Sequence, residues 1–135
     1  HLVVSILPIS DLSPLAACSH LAHLELSSLN VVTDLSPLVQ CGYLQSLVLS
    51  GLPHVTDVAI LSACTQLKKL CLLGLSQVAD FSSLAACGTG LQSLIIKDCP
   101  QLTDLSPIAQ CVCLQGLRLD GLHVKNVSPY QHASS

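Results

Sequence analysis

The sequence feature that most limits the possible fold is a ten-residue segment that recurs along the chain at a nearly constant interval. It reads Val-Thr-Asp-Leu-Ser-Pro-Leu-Val-Gln-Cys at residues 32–41. Close copies lie at 9–18 and 102–111, and looser copies lie at 55–64 and 78–87. The aspartates of successive copies are 23, 23, 23 and 24 residues apart. A fixed interval of this length predicts a solenoid, in which each short unit packs on the next.

A second pattern, Leu-x-x-Leu-x-Leu, lies between the copies of the first. It begins at Leu21, Leu44, Leu67, Leu91 and Leu114, with Ile96 as the last apolar residue of the fourth copy. Its spacing changes from three to two, which predicts a short strand with two apolar side chains on one side and the intervening residues on the other. We therefore expect parallel strands stacked in register, with their leucines in one internal column.

These patterns resemble the leucine-rich repeat family over residues 2–130. The family consensus continues with Asn or Cys after the strand, and Cys99 matches that position, whereas leucine replaces it at Leu29, Leu52, Leu75 and Leu122. The Asp-x-Ser-Pro-Leu motif is similar to internalin-like and trypanosomatid repeats, and the recurring helix cysteine is similar to F-box-type repeats. The resemblance implies an α/β fold, a right-handed leucine-rich repeat solenoid with a parallel sheet on its concave face and short helices on its convex face.

The loss of the family's Asn removes a side chain that usually binds loop amides. We expect the recurring aspartate, five residues further on, to accept hydrogen bonds from nearby backbone N–H groups instead. A serine N-cap followed by proline at the first position of a helix is predicted at Ser13-Pro14, Ser36-Pro37, Ser106-Pro107 and Ser128-Pro129. The spacing predicts helices of only one or two turns.

The period also predicts the domain organisation. We expect one domain of about five and a half repeats, with an incomplete first repeat that indicates a segment of a longer chain. The predicted repeats are 1–20 (partial), 21–43, 44–66, 67–90, 91–113 and 114–135 (partial).

Composition limits the classes of partner. Only 10% of the residues are charged, which indicates a surface that is rich in Ser, Thr and Gln, or one that is covered by neighbours in a larger complex, or both. The net charge is −3 and the five Lys and Arg residues are scattered along the sequence, so we predict no nucleic-acid binding. Apolar runs are far shorter than the ~20 residues that span a bilayer, so we also predict no membrane insertion.

Five of the eight cysteines occupy the same position in successive repeats. Equivalent positions of a curved solenoid lie farther apart than a disulfide allows, which favours reduced thiols and an intracellular, cytoplasmic location, with an extracellular one left open. The one close pair, Cys111 and Cys113, is spaced more tightly than structural zinc ligands. We therefore predict no metal site and no cofactor.

An enzyme is not predicted. Asp and Ser recur in the repeats at structural positions, while the six histidines share no repeat position with them. A nucleophile requires a single base held within hydrogen-bonding distance, which a series of equivalent residues does not provide. We therefore predict no catalytic residues.

The outward side of the predicted strands is the candidate binding surface. Its middle column starts and ends with a charge and is apolar between them, as many protein-binding surfaces are. The alternative is that β-branched residues merely suit strands. The candidate residues are Glu25, Val48, Cys71, Leu73, Ile95, Lys97, Arg118 and Asp120.

We therefore predict a non-enzymatic scaffold, or a structural subunit of a larger intracellular assembly, that binds a protein through the concave face. Two alternatives stay open at this point. The helix cysteines suggest a substrate-recruiting module of a ubiquitin ligase, and the Asp-x-Ser-Pro-Leu motif suggests a cell-surface adhesion or recognition array.

Overall fold

A single parallel sheet organises the chain in the computed structural model, which describes residues 1–5, 10–87 and 90–122. Each strand pairs with the next strand along the chain, so every coil of the solenoid contributes one strand. The described strands are β1 (Leu2–Ser5), β2 (His23–Ser27), β3 (Ser46–Ser50), β4 (Lys69–Leu73), β5 (Ser93–Lys97) and β6 (Gly116–Asp120). The predicted last repeat is described only as far as Leu122.

The strands are aligned without any shift between equivalent repeat positions. Leu47 pairs with Leu24 on one side and with Leu70 on the other, and the column continues through Leu94 and Leu117. This confirms the predicted single file of leucines. The register is strongly determined, because a shift by one residue would turn every leucine of a strand away from the core.

The core lies between the sheet and the returning half of each coil. In the second coil, Val32, Leu35 and Leu38 from the returning half are at most 3% exposed. Leu29, Leu52 and Leu75, which stand at the family's Asn position, are fully buried. Within the described part of the chain no polar or charged residue is buried, so an apolar core fills the position where the family places a polar side chain.

The returning halves contain short helices, most of them of the 3-10 type. These are η1 (Ser13–Ala17), η2 (Ser36–Gln40), η3 (Ala59–Ala63) and η4 (Ser106–Gln110), and one α-helical turn, α1 (Leu84–Cys87), takes the equivalent place in the fourth coil. A 3-10 helix advances about 2.0 Å per residue, compared with about 1.5 Å in an α-helix. A 3-10 segment therefore spans a longer distance than an α-helix of the same number of residues, which suits a coil of only 23 residues.

The predicted serine N-caps at Ser13, Ser36 and Ser106 are wrong, and the one at Ser128 lies outside the described residues. The 3-10 helices begin at the serines themselves, and the preceding Leu12, Leu35 and Leu105 hold the N-cap position without any side-chain cap. The aspartate one residue earlier supplies the acceptor instead. In the second coil, for example, the Ser36 N–H donates to Asp34 Oδ1 at 2.9 Å.

The predicted role of the aspartates is confirmed in all five coils. Asp11, Asp34, Asp57, Asp80 and Asp104 each accept a hydrogen bond from the backbone N–H two residues later, at 2.6–2.9 Å. In the four coils with a serine at that later position, the bonds from its backbone N–H and hydroxyl hold the pKa of the aspartate below its usual 3.8.

A left-handed backbone residue follows each of the strands β2 to β6. The five residues are Ser28, Gly51, Gly74, Asp98 and Gly121, with φ between 55° and 66°. In four of them, beginning with Ser28, the N–H donates to a carbonyl of the next coil, such as the 2.8 Å bond from Gly74 to Lys97. This column turns the chain out of the sheet while extending the hydrogen bonding between coils.

Candidate functional site

The strand face is defined here as the side of the sheet that points away from the core. It consists of three columns of side chains that run across the strands. The first column contains His23, Ser46, Lys69, Ser93 and Gly116, the middle one Val3, Glu25, Val48, Cys71, Ile95 and Arg118, and the third Ser27, Ser50, Leu73, Lys97 and Asp120.

The structure brings all eight candidate residues onto this face. Five of them form the middle column and three, Leu73, Lys97 and Asp120, lie in the third. Sequence analysis missed Val3, which pairs with Glu25 and is 49% exposed. The only sequence signal for Val3 is its place between Leu2 and Val4, because the first repeat carries no Leu-x-x-Leu before its strand.

The centre of the strand face is apolar. Val48, Cys71 and Ile95 lie side by side on β3, β4 and β5, and Leu73 lies on β4 next to Cys71. All four side chains are only partly buried, so none is part of the core. With strands about 4.8 Å apart, the three middle-column residues span about 10 Å.

The cations are grouped rather than scattered. The structure describes four Lys and Arg residues, and all lie on β4, β5 and β6 or, for Lys68, directly before β4. Cations that are scattered along the sequence thus occupy neighbouring strands of the sheet. The recurring aspartates lie elsewhere in each coil, in the loops that precede the helices.

The cations of the strand face differ in whether they form an ion pair. Arg118 lies 3.8 Å from Asp120 on the same strand, which partly neutralises the charge at the β6 end. Both side chains are strongly exposed, so this ion pair contributes little to stability. Lys69 and Lys97 form no ion pair with any described residue and flank the apolar centre on opposite sides, in the first and third columns.

Cys71 contributes an apolar contact surface rather than a nucleophile. Burial raises the pKa of its thiol and the carboxylate of Glu25 raises it further, while Lys69 lowers it. The net shift is upward, so the thiol stays protonated at neutral pH. A protonated thiol in this position behaves as a small apolar side chain.

Other residues that could carry chemistry are kept apart. Within residues 1–5, 10–87 and 90–122, no three metal-binding side chains come together. Cys111 is buried whereas Cys113 is exposed, so the two thiols do not face a common site. The rings of His1 and His23 lie 5.8 Å apart in a tilted arrangement at the β1 end of the strand face, and those of His20 and Tyr43 stack at 5.8 Å in neighbouring coils.

A shallow groove of about 440 Å³ lies between the second and third coils, outside the strand face. Asp34 and Asp57 line it, together with hydroxyl groups and the side chain of Val39. Each of the two carboxylates already binds a backbone N–H of its own coil. The groove lies where the loops that contain these two aspartates stack on each other.

Comparison with known proteins adds a decisive observation. No protein-family model matches the sequence, and no curated protein matches it. The crystal structure of internalin C2 from Listeria monocytogenes matches with a TM-score of 0.81 and 30% sequence identity, over 94% of this chain and 54% of that chain. The chain has the leucine-rich repeat fold. It spans about half the length of the internalin C2 chain, and the likeness supports a protein-interaction module in general.

The leucine-rich repeat fold also explains why the outward residues of the strands are available for binding. Its open sheet leaves one face free of covering elements among the described residues, and a fold of this type is typically a binding module rather than an enzyme. No helix in the described ranges is long and apolar enough to cross a membrane.

Proposed function

We propose that this leucine-rich repeat chain binds a protein partner through the strand face, as a non-enzymatic scaffold or structural subunit of a larger intracellular assembly. The observation that carries the proposal is the apolar centre formed by Val48, Cys71, Leu73 and Ile95, which is surrounded by serine and charged residues. An apolar centre with a polar rim is the usual arrangement of a protein-binding surface.

The dimensions of the sheet indicate how a partner would have to bind. Six strands at about 4.8 Å and five residues at about 3.3 Å per step give a face of about 24 by 13 Å, roughly 300 Å². A stable interface buries about 800 Å² on each partner. The partner would therefore also contact the loops that border the sheet, including Ser28 and Asp98 at the carboxyl ends of the strands.

The thiols support an intracellular location. All eight cysteines lie in the described residues and are free. Burial raises the pKa of Cys64 to about 11 and that of Cys87 to about 12, so these two thiols resist oxidation while the chain is folded.

The test is partner capture from a lysate of the source cells by the double variant Val48→Asp with Ile95→Asp. Both residues are partly exposed, so we expect the variant to fold and to lose the proteins that the wild type captures. The matched control is Val39→Asp with Val112→Asp, which adds the same charge at valines that are 44% and 79% exposed outside the strand face. Equal capture by the strand-face variant and the wild type would refute the proposal.

A second candidate function is a cell-surface recognition array, and the likeness to internalin C2 favours it. Thiol titration under denaturing conditions, on protein purified from its natural source, separates the two candidates. Eight reactive thiols support the intracellular scaffold, whereas paired cysteines support a protein that works outside the cell.

A further inference from the structure

The distribution of charge over the strand face indicates the chemistry of the partner. The chain carries a net charge of −3, yet all the cations that the structure describes lie at β4 to β6. Arg118 is paired with Asp120, whereas Lys69 and Lys97 are the two cations on this face that form no ion pair with a described residue, although Asp120 is the cross-strand neighbour of Lys97. They flank the apolar pair of Cys71 and Ile95.

We infer that the partner inserts an apolar side chain between two carboxylates, with the apolar group on the centre of the strand face and one carboxylate at each lysine. This inference rests on the proposed function, since it specifies what the same face binds. Lys69 begins β4 and Lys97 ends β5. Their Cα atoms are therefore four residues and one strand apart, which corresponds to about 14 Å.

An extended segment has matching dimensions. Residues i, i+2 and i+4 of an extended chain point to the same side, and the first and last are about 13 Å apart. A partner segment with the pattern acidic-x-apolar-x-acidic can therefore place both carboxylates at the lysines and the apolar residue between them. At the opposite end of the middle column, Glu25 disfavours a further acidic residue by repulsion.

The same lysines could attract a nucleic acid, but the rest of the face favours a peptide. Proteins that bind single strands stack the bases on aromatic side chains along a basic groove. The six strands contain no Phe, Tyr or Trp, and the centre between the lysines is apolar. Two cations beside an apolar patch match a peptide with acidic and apolar residues.

The test uses a displayed library of random twelve-residue peptides selected on the 135-residue chain. We expect the selected peptides to share the acidic-x-apolar-x-acidic pattern. We expect the variant Lys69→Glu with Lys97→Glu to bind them at least about tenfold more weakly, because two attractions become repulsions. Lys68→Glu is the charge control, since Lys68 lies outside the strand-face columns, and should change binding less than about twofold.

Several outcomes would overturn the inference. The first is a selection that yields no acidic pattern. The second is a set of acidic peptides that bind the Lys69→Glu and Lys97→Glu variant as well as they bind the wild type. The third is displacement of the peptides by a twenty-nucleotide single-stranded DNA whose binding requires the same lysines. The proposed function is judged separately. If non-acidic peptides are selected and lose binding with Val48→Asp and Ile95→Asp, the strand face stands as the binding site and only the acidic chemistry is refuted.

Discussion

The capping loops, which contain the recurring aspartates and precede the short helices, use polar residues differently from the strand face. In all five described coils, the carboxylate of the capping-loop aspartate accepts a hydrogen bond from a backbone N–H of its own coil. On the strand face the residue type changes from coil to coil, and Lys69 and Lys97 bind no described carboxylate. Residues that recur in every coil therefore stabilise the coil, whereas residues that vary from coil to coil are available to bind a partner.

The largest effect that this comparison predicts is in the leucine column beneath the strand face. Leu70 is fully buried, so Leu70→Ala should lower the free energy of unfolding by about 2–5 kcal/mol. Leu117, in the equivalent position of β6, is only partly buried, and Leu117→Ala should cost clearly less. Urea denaturation followed by circular dichroism measures both, and equal losses would contradict the difference in burial between the two leucines.

The next largest effect concerns the left-handed column. Gly74 has φ +66°, so Gly74→Ala should cost about 1–2 kcal/mol, because an L-residue is strained in this conformation. Gly42 is the matched control, since it has no positive φ and a Cβ built there meets no atom within 4 Å. The same denaturation experiment should show little change for Gly42→Ala, and equal losses for the two variants would contradict the backbone assignment.

A smaller effect is expected from the aspartates. The folded-state pKa of Asp11, Asp34, Asp80 and Asp104 lies below the unfolded value of 3.8. Their contribution to stability is therefore present above the unfolded value and is lost as the pH falls from that value through the folded-state pKa. Unfolding free energies at pH 7 and pH 3 should therefore differ less in Asp34→Ala than in the wild type. An unchanged difference would mean that Asp34 does not take part in this pH dependence.

The smallest effect on stability is expected on the strand face itself. Lys97 is exposed and has no ion-pair partner in the described residues, so Lys97→Ala should change the free energy of unfolding by no more than about 0.5 kcal/mol. A larger loss in urea denaturation would place Lys97 among the residues that hold the coil and would weaken the contrast between the two regions.

The sequence was sufficient to predict the repeat architecture and the strand register. Leu24, Leu47 and Leu70 recur at a constant interval, and a parallel sheet built from equal coils has only one register that keeps them all buried. The role of the aspartates could also be predicted, because a short carboxylate before a turn accepts local backbone bonds wherever it occurs.

The errors came from features that depend on the path of the coil. Ser36 resembles an N-cap by type and by the proline that follows, but in a 3-10 turn of this tightness the residue before it holds that position. The grouping of Lys69, Lys97 and Arg118, in contrast, follows from the predicted stacking of the three strands, because outward residues of successive repeats lie side by side.

Thiol alkylation of the wild-type chain, with and without its captured partner, tests the central claim most directly. Cys71 lies at the centre of the strand face and Cys113 is exposed outside it, so one reagent reports on both regions in one molecule. Bound partner should slow the alkylation of Cys71 several-fold and leave Cys113 unchanged. A partner that protects Cys113 while Cys71 reacts at its original rate would show that binding occurs elsewhere on the solenoid.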